Sequence, residues 1–113
     1  MDAKTELSAE FDKLIHVLPL GPSVKFAGVL VEMLRLHAQK GHDYGTFEDP
    51  FANVRASDEF GIPPWQGSMM RANDKVSRLK TYSIKHTLQN EGVEDSMIDL
   101  ACYAVIALVL FRE

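Results

Sequence analysis

Cysteine is almost absent from this chain. Cys102 stands alone, which excludes an internal disulfide and fits a reducing compartment. It does not read as a nucleophile either, because it lies in an apolar stretch with no helix start or nearby cation to lower its pKa. Long hydrophobic runs are also missing. The longest, residues 100–111, falls well short of the roughly 20 residues that cross a bilayer as a helix. There is no surplus of basic charge: 12 Lys and Arg against 16 Asp and Glu leave a formal net charge of −4. That balance argues against passive binding to duplex nucleic acid, so a polyanionic ligand must meet a local cluster of cations. No glycine-rich phosphate loop, GxSxG elbow or HExxH helix occurs. His37 and His42 are not spaced with another His or Cys as zinc ligands are. The first ten residues mix acids with Lys4 and carry no basic-then-apolar pattern, so a cytoplasmic location is the expectation.

What is present is an ordinary globular balance, 46% hydrophobic and 25% charged over 113 residues. That length is one domain's worth, able to bury roughly two thirds of the unfolded surface around one core. The expectation is a single all-α domain over 1–113, with 1–20 an N-terminal segment and 24–113 the core. A short helix is expected over 7–18. From Val24 the string VKFAGVLVEMLRLHAQK is apolar around most of its circumference and predicts a long helix ending at Gly41, followed by a loop. Asp49 and Pro50 predict a capped helix over 50–60, ending at Gly61. Pro63 and Pro64 open a helix over 65–85, whose buried stripe would be Met69, Ala72, Val76 and Leu79. Arg71, Lys75 and Arg78 share the neighbouring edge. The last helix carries Glu94 and Asp95 in its positive first turn and is apolar almost all round after Asp99. Such a helix is central in a bundle or half covered by another subunit.

Asp95 and Asp99 are four residues apart and project from one side of that helix, where two carboxylates repel. The same face continues as Cys102 and Ile106, which carries Asp99 toward the core. An unpaired carboxylate there costs several kcal/mol. Its partner is to be sought among Arg71, Lys75 and Arg78, a proton, or a divalent cation such as Mg²⁺, which takes carboxylate oxygens and keeps waters for a phosphate. A structural reading stands beside this one. In it Asp95 complements the helix dipole and Asp99 forms a buried ion pair with Lys75 or Arg78. Asp74 can pair with Arg71 and Arg78 on its own helix, or orient an arginine that receives a phosphate. Glu32 reads as a solvated acid on the first long helix's polar stripe. Asp43, Tyr44 and Gly45 form a DYG turn that offers a carboxylate and a ring for stacking on a base. Trp65, Met69 and Met70 read as core or interface residues.

In order along the chain, HDYGTFEDPFANVRAS, MRANDKVSRL and EDSMIDLACYA resemble the phage-associated nucleotide modification associated domain proteins and their MazG-like relatives. These belong to the all-α nucleoside triphosphate pyrophosphohydrolase group. The likeness runs from about residue 28 to the C-terminus. It implies a helical bundle assembling as a dimer or higher oligomer, with a Mg²⁺-dependent cleft that hydrolyses a nucleoside triphosphate to monophosphate and pyrophosphate. By position, Asp99 matches the metal-binding aspartate of the ELGDLLF-type helix, Asp95 the acid one turn earlier, and Glu32 an acid on the preceding long helix. The EExxE cluster of MazG-type enzymes is missing, and the last helix reads DxxxD. Where a second acidic helix would stand, the chain presents Asp74, Lys75 and Arg78, a set suited to gripping phosphate.

The expectation from residues and resemblance together is a compact, all-α, MazG-like bundle of four to five helices acting as a metal-assisted nucleotide pyrophosphohydrolase. Asp99 and Asp95 would be its catalytic acids and hold Mg²⁺ or Mn²⁺ with Glu32 or Asp43. Arg71, Asp74, Lys75 and Arg78 would hold phosphates, and Tyr44 or Asn53 would contact base or sugar. Two alternatives stand: a non-catalytic nucleotide-binding or sequestering protein of the same fold, and a structural module that oligomerises through its last helix. The expected partners are a nucleotide and further copies of the chain, with neither membrane nor duplex nucleic acid; the resemblance suggests a phage-type accessory protein.

Overall fold

Helix starts are set by whatever satisfies the first free amides, and for the first helix that group lies earlier than the apolar pattern suggests. The computed structural model describes residues 2–44, 49–88 and 91–113, with side chains described at all of these positions except 41–44. Among them the chain is all-helical, with five α-helices, one 3-10 segment and no strand. Helix α1 (Ala3–Val17) begins ahead of the expected Leu7 because the Asp2 carboxylate accepts from the Thr5 amide at 2.8 Å. Helix α2 (Pro22–Tyr44) starts on a proline, after Gly21 turns the chain at φ 76°. It continues through Gly41. An interior glycine costs only about 1 kcal/mol against alanine and does not by itself end a helix. Asp43 and Tyr44 therefore have helical backbone rather than forming a turn.

The segment expected as one helix over 50–60 divides into α3 (Ala52–Arg55) and a 3-10 stretch, Ala56–Phe60, closed by Gly61 at φ 75°. Asp49 does not cap it. Its carboxylate accepts instead from the Phe51 amide at 3.0 Å and from Arg55 Nε at 2.7 Å, the two-residue return typical of an Asx turn. Helix α4 (Pro64–Lys85) ends in a left-handed His86 at φ 61°, whose amide donates to the Tyr82 carbonyl. Helix α5 spans Val93–Phe111.

Two compact units divide within α2, Met1–Leu36 and His37–Glu113. In the first, Ala27 is the one buried residue among those described, and the α1 stripe Leu7, Phe11, Leu14, Ile15 is exposed. The second is built on α4 and α5, which pair antiparallel, with α3 and the 3-10 stretch against α4. Small residues make the close approach. Ser68 and Ala72 of α4, and Ser96 and Ala107 of α5, are buried, and the Ser68 hydroxyl donates to the Tyr103 carbonyl at 2.7 Å. Next to Ser68 on α4, a methyl on Gly67 would stand 2.7 Å from Ser57 Cβ. The buried sector of α4 thus runs through Gly67, Ser68 and Ala72. Met69, expected in the core, falls outside this sector and is 45% exposed, as Met70 is at 57%. Trp65 meets Phe111 edge to face, ring centroids 5.5 Å apart, at one end of the helix pair. No helix among the described residues is long and apolar enough to cross a membrane.

Candidate functional site

At the opposite end of the α4–α5 pair, charged side chains take the place of aromatic ones. Asp99, on the side of α5 that continues as Cys102 and Ile106, has a side chain only 13% exposed. Its two oxygens are held separately: Lys40 of α2 reaches Oδ1 at 2.6 Å and Lys75 of α4 reaches Oδ2 at 3.1 Å. Lys75 also contacts both oxygens of Glu91, at 2.9 and 3.1 Å. Glu91 in turn lies 3.7 Å from Arg78 Nε, and its backbone carbonyl accepts from Arg78 Nη2 at 3.3 Å. The fully buried Ser96 places its hydroxyl 2.7 Å from Glu91 Oε1 and 3.1 Å from the Gly92 carbonyl. Cations and carboxylates alternate in the order Lys40, Asp99, Lys75, Glu91, Arg78. Among the described residues the row counts three positive and two negative members.

The electrostatics follow from this geometry. Burial pushes the Asp99 carboxyl pKa up, but the hydrogen bonds and charges of Lys40 and Lys75 outweigh it and leave it below the usual carboxylate range. Glu91 is lowered chiefly by the Lys75 hydrogen bond, against burial and with help from Ser96. Burial pulls both lysines down, yet Asp99 for Lys40, and Glu91 with Asp99 for Lys75, raise them above the ordinary lysine value. Burial raises the Cys102 thiol, which fits the inert role read from its apolar surroundings. One turn before Lys40 on α2, the His37 ring lies against Phe51, centroids 5.4 Å apart and tilted 33°.

The structure brings together three of the residues singled out from the sequence, Asp99, Lys75 and Arg78. Others stand apart. Arg71 is half-buried and Asp74 exposed, and among the described residues neither forms an ion pair, so the expected links from Asp74 to Arg71 and Arg78 do not form. Asp95 is exposed and lies over the start of α5, where a Cβ on Gly92 would sit 3.3 Å from its Oδ2. That placement suits the helix dipole. Glu32 is exposed on the part of α2 within the first unit, and Asn53 is exposed on α3. The side chains of Asp43 and Tyr44 lie outside the described residues. Lys40, Glu91 and Ser96 went unrecognised in the sequence. Lys40 lies 59 residues from its partner, beyond the reach of any helical spacing.

The donors fit a divalent cation poorly. Mg²⁺ wants several oxygens turned toward one point. Here both Asp99 oxygens face ammonium groups, and the Glu91 carboxylate faces Lys75, Arg78 and Ser96. Among the described residues no three Asp, Glu, His or Cys side chains converge as a metal site requires. A second ionic cluster, away from this row, joins Arg55 to Glu113 by two bonds of 2.6 and 2.8 Å and to Asp49 at 2.7 Å. No family model, curated protein or solved structure matches this chain.

Proposed function

We propose that this chain binds a nucleotide through its phosphates, with Lys40, Lys75 and Arg78 as the receiving groups. The supporting observation is the alternating row itself: three cations from two helices are gathered at one end of the α4–α5 pair and bridged by carboxylates that a phosphate's oxygens can replace. Arginine's fork suits phosphate oxygens bidentately and lysine supplies a point charge. The His37 and Phe51 rings beside Lys40 offer an aromatic surface for a base. Binding without hydrolysis is the reading these side chains favour, because Asp99 would have to leave both lysines before serving a metal ion or a water.

Self-association belongs to the same proposal. Met97, Ala104, Val105 and Leu108 recur at helical spacing on the side of α5 away from α4, and all four are exposed. An apolar stripe of that kind is suited to a second copy of the chain.

A nucleotide panel read by thermal shift tests the proposal. Stabilisation by several degrees should appear in EDTA and vanish in Lys75→Met, since a ligand at 100 times its Kd adds about 2.7 kcal/mol to stability. Pyrophosphate release with Mg²⁺ or Mn²⁺, abolished by Asp99→Asn, would instead establish the hydrolase implied by the family resemblance. No shift with any nucleotide, together with a tight oligomer, would leave the structural module.

A further inference from the structure

We infer that Glu91 is a built-in competitor for the anion seat, a residue that sets how strongly a phosphate must bind before it is admitted. This inference rests on the phosphate-binding reading above. Around the Glu91 carboxylate stand the Lys75 ammonium, the Arg78 guanidinium and the hydroxyl of the fully buried Ser96. Those are the donor types that a phosphoryl group requires: a point charge, a planar charged donor and a neutral hydroxyl. The seat is complete without any external ligand, and the chain's own carboxylate fills it.

Tethering makes that carboxylate hard to displace. An internal group competes at an effective concentration in the millimolar range or above. Glu91 brings one negative charge. A ligand must bring more charge, or reach a further cation, to displace it. Lys40 supplies that further cation, since Asp99 ties it and Lys75 to opposite oxygens of one carboxylate. Linked phosphates can engage both ends of the row, whereas a lone phosphate reaches only the Glu91 seat and has little extra charge to set against the tethered carboxylate's effective concentration. The side chain need only rotate out, as it is about a quarter exposed.

The test is titration calorimetry of the full chain in EDTA with inorganic triphosphate and with orthophosphate, on wild type and the near-isosteric Glu91→Gln. Expected are roughly tenfold tighter triphosphate binding in the variant and orthophosphate binding that the wild type lacks. Glu94→Gln, which removes a nearby exposed charge outside the seat, should change triphosphate affinity less than about twofold and leave orthophosphate unbound, as in wild type. Carboxyl-carbon NMR on the wild type gives a readout independent of the variant's folding: saturating triphosphate should move the Glu91 signal toward that of a free carboxylate. Equal affinities in wild type and Glu91→Gln, equal gains from Glu94→Gln, or an unmoved Glu91 signal on bound protein would each overturn the competitor role while leaving phosphate binding intact. No triphosphate binding by either form would overturn both.

Discussion

Lys75 on α4 and Asp99 on α5 meet at 3.1 Å, and each holds a second partner of opposite charge, Glu91 for the lysine and Lys40 for the aspartate. Neither charge can be removed without loosening a neighbour. Asp99→Asn should therefore lower the unfolding free energy by about 2 kcal/mol, below the range for a fully buried pair because Lys75 keeps Glu91. Lys40→Met should cost less, since that side chain is 48% exposed and Asp99 keeps Lys75. Urea unfolding of both variants gives the comparison. An Asp99→Asn protein as stable as wild type would mean that the row does not hold α4 to α5.

The pH dependence of stability follows from the same groups. Asp99 and Glu91 have lowered pKa values in the fold, so the stability they contribute is complete above the ordinary carboxylate range and is lost as pH falls through the lowered values. Lys40 and Lys75 are raised, so theirs is complete below the ordinary lysine value and is lost as pH rises through the raised ones. From these four groups the profile should be flat between about pH 5 and pH 9 and fall on either side. Asp99→Asn should shrink the acid limb. Urea midpoints at stepped pH measure it, and an unchanged limb in the variant counts against the assignment.

Gly67 is a packing requirement. Its missing side chain leaves room for Ser57, whose hydroxyl donates to the Ile62 carbonyl at 3.0 Å. Gly67→Ala should destabilise by about 1–3 kcal/mol through overpacking, with part of the loss recovered in the double variant Gly67→Ala, Ser57→Gly. A stable single variant in calorimetry would show that the 3-10 stretch gives way freely.

The Arg55–Glu113 pair should behave as a surface interaction. Glu113 is lowered by its hydrogen bond to Arg55, yet its side chain is half exposed, so salt screens the pair. Glu113→Gln should lower Tm slightly at low ionic strength, and the difference should close in 1 M salt, where the screening length is about 3 Å. A difference that survives high salt would point to packing instead.

Much of the fold was legible because helices announce themselves locally. Pro64 starts α4, Gly61 closes the 3-10 stretch, and the Glu94 and Asp95 pair marks the start of α5. The site was half legible. Asp99's need for a partner follows from the apolar face it shares with Cys102 and Ile106, and the cationic edge of α4 offers Lys75. Lys40 has no such signal, because periodicity relates residues on one helix and says nothing of a lysine on α2 brought to α5 by the fold. Glu91 was hidden for a different reason: in a polar connecting stretch an acid looks solvated, and only the burial of Ser96 reveals what it faces. Met69 misled because Ser68 and Ala72, small enough for close helix approach, take the facing sector.

The most direct test of phosphate binding is calorimetric titration of a nucleoside triphosphate into wild type and Lys75→Met, in EDTA, with folding of both verified by circular dichroism. Saturable binding by wild type, weakened at least tenfold in the variant and falling with added salt, is the expected result. Equal binding by the two folded proteins, or none by either, would contradict it.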